Sequence, residues 1–525
     1  MQKIVAAVLV LAVLSGAVGC KKKTVEEPEA VGSAGSIVVV EDTAEIKLAA
    51  ANVSTLNPLE TTSKSVQSIM NTVYEPLFTV DEKLNIVPVL AESYSLSEDG
   101  MRITVKLADG IKWHDGTPFT AEDVLYTWDR LKDSNGLYKG TAKKIGSVTL
   151  LSEKEVEFGL LAQELDFAYY LTFPILSRNT NYLVDLEFVP IGTGAYKYGG
   201  KSENEIVLEP NTAWRGELKA QRKILVKLLR DNNEALQAFN VNETDAILSE
   251  DTENLETPPK SSAQIKKIVS ENMVFLGFNT MNPQLTREVR CAIGMTLDKP
   301  KLLEKAAYGY GRVCDISINP DSWAYEGIET DEYSWEYVSK MLENAGYTMK
   351  NNVYSKEDQK LELEILVSAD KPQRVVLAEA ISEALTGAGF ATRVNALDFD
   401  AYLERIKNGE FDMFLGVAQT DIAINPIALL DGESNYFNFY AGELVTLRNS
   451  LYGVTDKEEY KKTVKEIAAR FKVNPPYIPL FFTTCGVYYG SNVSGITEPT
   501  LTDRYKNIEK WYFYNNTQNE DKKSE

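Results

Sequence analysis

One histidine is present in the 525 residues, and an aspartate follows it directly. His114 and Asp115 lie in the segment GIKWHDGTPFTAEDVLYTWDRL, residues 110–131. A histidine beside a carboxylate can act as a general base or bind a metal ion. Both chemistries need further groups, either a nucleophile with an orienting residue or additional metal ligands.

The sequence supplies no such partners for His114. No second histidine can share a metal ion with it, and no G-x-S-x-G segment offers a nucleophile. No Ser–Lys or carboxylate pair has a spacing that is specific for a hydrolase. We therefore interpret His114 as part of a structural turn and expect neither a metal site nor an enzyme; an extracellular peptidase is the enzymatic alternative.

Residues 195–202, AYKYGGKS, formally fit the phosphate-loop pattern [AG]-x-x-x-x-G-K-[ST]. A phosphate loop needs a strand before it, a helix after it and slim backbone near the phosphates. Tyr196 and Tyr198 are bulky, and the residues that follow, 205–208, alternate like a strand. The context predicts a β-hairpin rather than a nucleotide site, and we expect no cofactor.

The cysteines are Cys20, Cys291, Cys314 and Cys485. Beyond Cys20 they are odd in number and widely spaced, which fits neither a dense disulfide framework nor a zinc site. A Cys291–Cys314 bridge remains open, and free buried thiols are the preferred interpretation.

The elements that position His114 can be predicted from the pattern around it. Residues 101–107, MRITVKL, alternate strictly between apolar and polar side chains, which predicts a half-buried strand. Two Asp-Gly dipeptides follow, which are typical of turns. Thr120 and Asp123 then form a capping box that begins a helix with an apolar face. His114 therefore lies in a short connection between a strand and a helix.

The second half of the chain predicts an α/β unit. Apolar alternation indicates strands at 360–367, 390–397 and 411–415. Helices are predicted at 372–386, with an apolar stripe of Val375, Val376, Ala380 and Leu385, and at 399–407. This β-α-β-α-β series is typical of an open lobe with a mostly parallel sheet.

A further helix and strand are predicted near the end of the chain. Thr455 and Glu458 form a capping box that begins a helix running to about residue 472. Asn474-Pro475-Pro476 ends that helix, and residues 478–483 form a strand.

The first residues predict export and anchoring. Residues 4–14 are apolar but too short for a crossing of about 20 residues, so residues 1–19 are interpreted as a signal peptide. Ala17-Val18-Gly19-Cys20 resembles a bacterial lipobox, which implies that Cys20 is lipidated. Residues 20–41 then form a charged, flexible linker, and no later segment is apolar enough to span a membrane.

Length and charge restrict the class of protein. About 485 residues remain after the linker, which is too many for one core and predicts two or three lobes. The net charge is −21, and acidity of this size argues against nucleic-acid partners.

Several stretches, in order along the chain, resemble the family 5 extracellular solute-binding proteins of ABC importers, of the oligopeptide- and dipeptide-binding type. They are TLNP (55–58), VYEPL (73–77), LAESY (90–94), WHDGTPF (113–119), AEDV (121–124), GTGAY (192–196), FNT (278–280), VR and AI (289–293), the segment 403–414 and IPL (478–480). In that family the turn that contains the histidine is a fold-forming element.

The resemblance implies an α/β fold of the type II periplasmic-binding-protein-like class, with two main lobes, a hinge and a small inserted third lobe. We expect lobe I at residues 42–65, 187–270 and 478–525, the small lobe at 66–186, and lobe III, the second ligand-binding lobe, at 271–477. Chain crossings between the main lobes would let them close on a solute.

The resemblance also suggests ligand-binding residues. Relatives bind an extended peptide through its main chain, and an acidic residue after the strand at 411–415 meets the peptide ammonium. Asp421 is the candidate here, although Val417 stands where an aromatic residue is usual, so a solvated loop aspartate remains open. The further cleft candidates are Asn435, Tyr436, Trp323, Tyr74 and Asn279, each of which could instead fill the core.

Together these features predict a monomeric lipoprotein at the outer face of the cell membrane that captures peptides and delivers them to an ABC permease. The alternatives are the same fold with another solute, such as a sugar, an opine or a metal chelate, and a peptide-sensing receptor without transport.

Overall fold

The computed structural model describes residues 38–39, 45–180, 188–218, 221–250, 259–328, 335–420, 422–430 and 435–515. The predicted signal peptide, Cys20, the linker to residue 41 apart from Val38 and Val39, and Asp421 lie outside these residues. The chain divides into a large unit, residues 39–514, and a small unit of residues 1–38 and 515–525. No helix in the described part of the chain is both long and apolar enough to cross a membrane.

The described residues form both helices and strands, with several runs of consecutive strands. The α-helices are α1 Lys64–Met70, α2 Ala121–Leu131, α3 Lys139–Ala142, α4 Asn232–Asn240, α5 Arg287–Thr296, α6 Lys299–Ala307, α7 Trp335–Asn344, α8 Pro372–Gly387, α9 Phe399–Asn408, α10 Gly442–Asn449 and α11 Lys457–Val473. Short 3₁₀ helices occur at Phe167–Leu171, Trp323–Tyr325, Ala428–Leu430 and Ile508–Lys510.

The strands of the first half are β1 Val38–Val39, β2 Ile46–Ala51, β3 Phe78–Val80, β4 Ile86–Pro88, β5 Ala91–Leu96, β6 Arg102–Leu107, β7 Ile145–Ser152, β8 Glu155–Leu160, β9 Tyr196–Lys201, β10 Glu205–Pro210, β11 Ile224–Leu229 and β12 Ala246–Ser249. The later strands are β13 Gln264–Phe278, β14 Gly311–Val313, β15 Thr348–Lys350, β16 Val353–Lys356, β17 Gln359–Lys360, β18 Glu362–Ser368, β19 Ala391–Leu397, β20 Met413–Gln419, β21 Tyr477–Tyr489, β22 Val493–Ser494 and β23 Tyr512–Asn515.

Eleven of the strands named above join one large mixed sheet. Its order is β19-β18-β20-β13-β21-β12-β2-β11-β10-β9, and β14 pairs with β21 off this path. β18 is parallel to β19 and β20, which confirms the predicted parallel β-α-β-α-β unit. β2 is likewise parallel to β11 and β12.

Two long antiparallel strands, β13 and β21, join the two parts of this sheet. Residues 264–269 of β13 pair with the end of β21, on the side of β12. Residues 273–277 pair with the beginning of β21, on the side of β20. The register shifts between Val269 and Met273, so a bulge at residues 270–272 lies where the chain passes from one part of the sheet to the other.

The predicted strand–turn–helix around His114 is confirmed. Ile103, Val105 and Leu107 of β6 are buried, within a separate antiparallel sheet of order β5-β6-β8-β7. In the predicted capping box, the Asp123 carboxylate accepts from the Thr120 N–H at 3.0 Å. The predicted hairpin at residues 195–208 is also confirmed, because β9 pairs antiparallel with β10.

Three local predictions need correction. Val376 is exposed rather than part of the buried stripe of α8, because the face that packs inward carries Leu377, Ile381 and Leu385. Helix α11 begins one residue later than predicted, since Asp456 caps it by accepting from the Glu459 N–H at 2.9 Å. The strand predicted at 411–415 is β20, which runs to Gln419 because pairing with β13 continues to that residue.

The cysteines of the described residues are free. Cys314 and Cys485 are buried, whereas Cys291 is partly exposed. The open Cys291–Cys314 pairing is therefore not formed, and the preferred interpretation of buried thiols applies to Cys314 and Cys485.

Candidate functional site

The His114 ring forms hydrogen bonds with two backbone groups. Its Nδ1 accepts from the Gly192 N–H at 3.1 Å, and its Nε2 lies 3.1 Å from the Gly194 carbonyl oxygen. A ring that accepts at Nδ1 and donates at Nε2 is the neutral imidazole. Burial lowers the pKa of His114 to about 4, which keeps the ring in that form. The predicted structural role is confirmed.

A second carboxylate of this segment, Asp123, is also structural. It is almost fully buried and accepts from the Trp113 Nε1–H at 3.1 Å, the Thr120 N–H and the Arg178 N–H. These bonds hold the WHDGTPF turn against the start of α2. A carboxylate with three donors has little capacity left to act on a substrate.

A deep cleft of ≈ 960 Å³ lies elsewhere, at the carboxyl ends of parallel strands. One wall is α1, which directly follows β2; the opposite wall contains the end of β20. Side chains from residues 137–172 and 501–504 complete it. The outside of the carboxyl ends of parallel strands is the usual location of ligand sites in open α/β sheets.

Helix α1 presents a polar face to the cleft. Lys64, Gln67, Ser68 and Asn71 line it at spacings of three and four residues, which place them on one side of a helix. Gln67 Nε2–H donates to Asn71 Oδ1 at 2.9 Å, and Asn71 Nδ2–H donates to the Thr502 carbonyl at 2.6 Å. The buried Gln67 Oε1 has no hydrogen-bond donor in the described part of the chain.

The opposite wall is formed around the bulge of β13. Thr420 donates from its N–H and its hydroxyl to the Glu271 carbonyl oxygen, at 2.8 and 3.0 Å. Ser270 Oγ lies 2.7 Å from Thr483 Oγ1 and accepts from the Asn272 N–H at 3.1 Å. These bonds fix the bulge, and the Glu271 side chain lines the cleft beside Gln419.

Most charged groups of the cleft walls have protein partners. Lys144 pairs with Glu164 at 2.7 Å, and Lys64 lies 3.9 Å from Glu250. Arg448 Nη1–H donates to the Tyr452 hydroxyl at 3.0 Å. Paired groups of this kind shape the walls without requiring a charged ligand.

The structure places the predicted site residues outside this cleft, apart from Asp421, which lies outside the described residues. Tyr74 is buried, accepts from the Ile191 N–H at 3.1 Å and lines an adjoining cavity of ≈ 250 Å³. Asn279 donates to the carbonyls of Gly409 and Phe411. Asn435 donates to the Phe439 carbonyl at 2.8 Å, and Tyr436 is exposed.

Trp323 lies at a contact between distant segments. Its Nε1–H donates to the Tyr169 hydroxyl at 3.2 Å, and its ring packs on Tyr460 with centroids 5.3 Å apart. Its backbone N–H donates to the Lys83 carbonyl at 2.9 Å. Trp323 therefore joins segments near residues 83 and 169 to α11, and its ligand-binding role stays a prediction.

Sequence reasoning missed the polar face of α1 and the bulge residue Glu271. Both left a signal. The polar triplet Ser270-Glu271-Asn272 interrupts an otherwise apolar run in β13, which is typical of a bulge. The polar residues of α1 recur at helical spacing directly after a buried strand.

Metal binding by side chains is not supported. No group of three or more His, Cys, Asp and Glu residues that could hold an ion occurs within the described ranges. A second cavity, of ≈ 970 Å³, is lined largely by apolar groups around Cys291 and Met295, far in sequence from α1. The cleft remains the candidate site because it combines volume with convergent polar groups.

The comparisons with known proteins agree with this fold. Residues 85–435 match the sequence model of the family described as bacterial extracellular solute-binding proteins, family 5 Middle. Because the match spans more than half of the chain, the protein belongs to this family. It is an extracellular solute-binding protein of the ABC-transporter type and not an enzyme.

Individual relatives differ in what their names say they bind. The oligopeptide-binding protein AppA of Bacillus subtilis (strain 168) is 27% identical over 498 residues, covering 87% of this chain and 89% of AppA. The glutathione-binding protein GsiB of Escherichia coli (strain K12) is 28% identical over 315 residues, covering 56% of this chain and 60% of GsiB.

A solved structure shows the same fold. The nickel ABC transporter protein from Bacillus halodurans superposes with a TM-score of 0.76 at 19% identity, covering 90% of this chain and all of that chain (100%). The predicted type II periplasmic-binding-protein-like class is thereby confirmed.

Proposed function

We propose that this protein captures short peptides in the cleft between α1 and the end of β20 and delivers them to an ABC permease. The observation that carries the proposal is the cleft itself. Its volume of ≈ 960 Å³ is at the upper end of the range for sites that enclose a small ligand, roughly 300–1,000 Å³. That size suits a short peptide rather than a folded protein.

The chemistry of the walls supports a ligand with many amide groups. Gln67, Asn71, Gln419, Thr420 and Asn425 supply amide and hydroxyl groups from separate elements. Such groups can donate to the carbonyls of an extended peptide and accept from its N–H groups, which binds the main chain with little regard to side chains. The buried Gln67 Oε1, which lacks a donor in the described structure, fits a ligand N–H.

The bulge in β13 supports closure around the solute. The two parts of the large sheet meet at residues 270–272, where ladder pairing between β13 and β21 is interrupted. Few backbone torsions need to change there for the walls to approach each other. A solute that contacts both walls favours the closed form by binding it more tightly than the open form. The lobe boundaries at 65/66, 186/187, 270/271 and 477/478 are part of this proposal.

We test the peptide assignment by native mass spectrometry of the purified protein, followed by identification of the released ligand. The expected result is a protein carrying short peptides. Release of a sugar, an opine or a metal chelate instead would mean that this solute, and not a peptide, is the ligand. Conversion of an added peptide to products by the protein alone would contradict the binding function.

The anchor at Cys20 is a separate part of the proposal. Two acyl chains with the flexible linker of residues 21–41 would hold the protein at the membrane surface, where a single chain anchors weakly. Palmitate labelling of cells is expected to mark the wild type and not the Cys20→Ala variant, which should appear in the soluble extracellular fraction. Labelling of both proteins would place the lipid elsewhere. A monomer is expected in size-exclusion chromatography of the lipid-free protein.

A further inference from the structure

Two groups of the cleft differ from the paired charges around them. Arg504 follows the segment 500–503 and lines the cleft as a residue that is only 9% exposed. Glu271 lines the same cleft from the bulge of β13. In the described ranges, neither side chain forms an ion pair, and no hydrogen bond reaches the Glu271 carboxylate.

Arg504 is a buried cation whose contact cannot neutralise it. Its Nη1–H donates to Cys485 Sγ at 2.9 Å. Burial raises the pKa of the Cys485 thiol, so the sulfur stays protonated and uncharged. The nearby Glu250 pairs with Lys64, and burial raises the pKa of Asp503 to about 7. A guanidinium with five donors therefore faces the cleft with no carboxylate within ion-pair distance among the described residues.

Glu271 is held in place by its backbone while its carboxylate stays available. The Glu271 carbonyl is fixed by Thr420, and the flanking Ser270 carbonyl accepts from Asn319 Nδ2–H at 3.3 Å. A bulge of this kind turns a side chain away from the regular alternation of a strand, and bulges are frequent beside binding sites. Removal of a carboxylate from water is unfavourable unless a partner compensates it.

Arg504 and Glu271 line the same cleft. The charges of Arg504 and Glu271 act in opposite directions on the pKa of the Cys485 thiol, which lies under the cleft on β21. The cleft thus offers a positive and a negative group that do not form an ion pair with each other. A ligand with one charge of each sign would compensate both.

We propose that Arg504 binds an anionic group and Glu271 a cationic group of the same solute, so that the cleft selects zwitterions. One part of this inference rests on the proposed function, namely the identification of the zwitterion as an unblocked short peptide. The anion is then the peptide carboxylate. The cation is the terminal ammonium or a basic side chain, which share the same chemistry.

The test is calorimetric titration of the wild type, Arg504→Gln and Glu271→Gln with trialanine, acetyl-trialanine and trialanine amide. Each charge-assisted bond that is lost should lower affinity about 10-fold to 100-fold. For the wild type, both blocked peptides should bind more weakly. For Glu271→Gln, acetyl-trialanine should bind as well as trialanine, whereas trialanine amide should still bind more weakly. For Arg504→Gln, trialanine amide should bind as well as trialanine, whereas acetyl-trialanine should still bind more weakly.

The controls separate charge from folding. Glu209→Gln removes a carboxylate that pairs with Lys223 at 3.0 Å in the β9–β10 hairpin, and it should bind all three peptides like the wild type. Arg504→Lys keeps the positive charge and should retain the preference for a free carboxylate even if it binds more weakly. Thermal unfolding shows which variants are folded.

Acetyl-Ala-Lys-Ala identifies the source of the cation. If this peptide binds the wild type as tightly as trialanine does, and binds Glu271→Gln no better than acetyl-trialanine does, the cation is a side chain. If it binds the wild type only as tightly as acetyl-trialanine does, the cation is the terminal ammonium. If blocking an end of the peptide lowers the affinity by the same factor in the wild type and in both variants, the inference is overturned. Peptide binding itself would remain supported.

Failure of the peptide assignment gives a different result. In that case no peptide binds the wild type, and the ligand released from the purified protein is analysed by mass and electrophoretic mobility. A non-peptide ligand with charges of both signs would support the inference and overturn the peptide. A ligand that lacks either charge would overturn the inference.

Discussion

At the scale of single residues, the most informative side chain is His114, because its chemistry is used for structure. The neutral ring joins two backbone groups of the GTG segment, one by accepting and one by donating. Protonation would convert Nδ1 from an acceptor into a donor that faces the Gly192 N–H. The turn is therefore stable only while the ring stays neutral.

We predict that this residue makes stability fall in acid. The folded pKa of about 4 lies below the unfolded value of 6.5, so the unfolded chain binds the proton more tightly. The contribution of His114 is complete above pH 6.5 and declines as the pH falls towards 4. The decline amounts to about 2–3 kcal/mol between about pH 7.5 and pH 4.5.

The measurement is chemical denaturation of the wild type and His114→Asn at both pH values, followed by tryptophan fluorescence. The difference in unfolding free energy between the two proteins should shrink by about 2–3 kcal/mol at the lower pH. The contributions of the buried carboxyl groups of Asp166 and Asp503 cancel in this difference, because both proteins contain them. A difference that does not change with pH would mean that the ring titrates normally in the folded protein.

The sequence was sufficient for His114 and insufficient for Glu271 and Arg504. His114 could be interpreted by elimination, because catalysis and metal binding need partners that the composition lacks. The role of Arg504 depends on a thiol from β21 and a cleft built from distant segments. Such a contact between positions far apart in the chain leaves no local pattern.

At the scale of elements, the GTGAY segment explains how the small sheet and the cleft are held together. A Cβ on Gly192 would lie 1.8 Å from the Val73 carbonyl oxygen, and one on Gly194 would lie 2.5 Å from that of Thr72. Thr72 and Val73 directly follow α1, the polar wall of the cleft. The glycines therefore allow the backbone that His114 binds to pack against the end of α1.

We predict that Gly192→Ala destabilises the protein by about 2–3 kcal/mol or more, because a backbone carbonyl cannot move aside as a flexible side chain can. The matched control is Gly387→Ala at the end of α8, where an added Cβ meets nothing within 4 Å. That change should be neutral or stabilise by up to about 1 kcal/mol. Urea denaturation of both variants measures the effects, and equal stabilities would contradict the close packing.

Elements with a regular period were predictable, whereas their irregularities were not. Strict alternation located β6 and β18, and helical spacing located α8 and α9. The bulge in β13 and the length of β21 follow from pairing with strands far away in the chain. The end of β20 was misplaced for the same reason, because its pairing with β13 continues to Gln419. The beginning of α11 was misplaced by one residue because Asp456 rather than Thr455 caps the helix.

At the scale of the whole molecule, one sheet carries both walls of the proposed binding site. α1 follows the carboxyl end of β2 in one part of the sheet, and Thr420 follows the carboxyl end of β20 in the other. The long strands β13 and β21 connect the two parts through the bulge that carries Glu271. A solute held between the walls would therefore contact residues on both sides of the joint.

Hydrogen exchange with and without the solute that copurifies with the protein tests this arrangement most directly. The solute is removed by unfolding and refolding and is then added back. Exchange is expected to slow in residues 64–71 and in residues 413–420 together, while residues 113–119 around His114 stay unchanged. Protection on one wall alone, or around the apolar cavity near Cys291, would contradict a site between the two parts of the sheet.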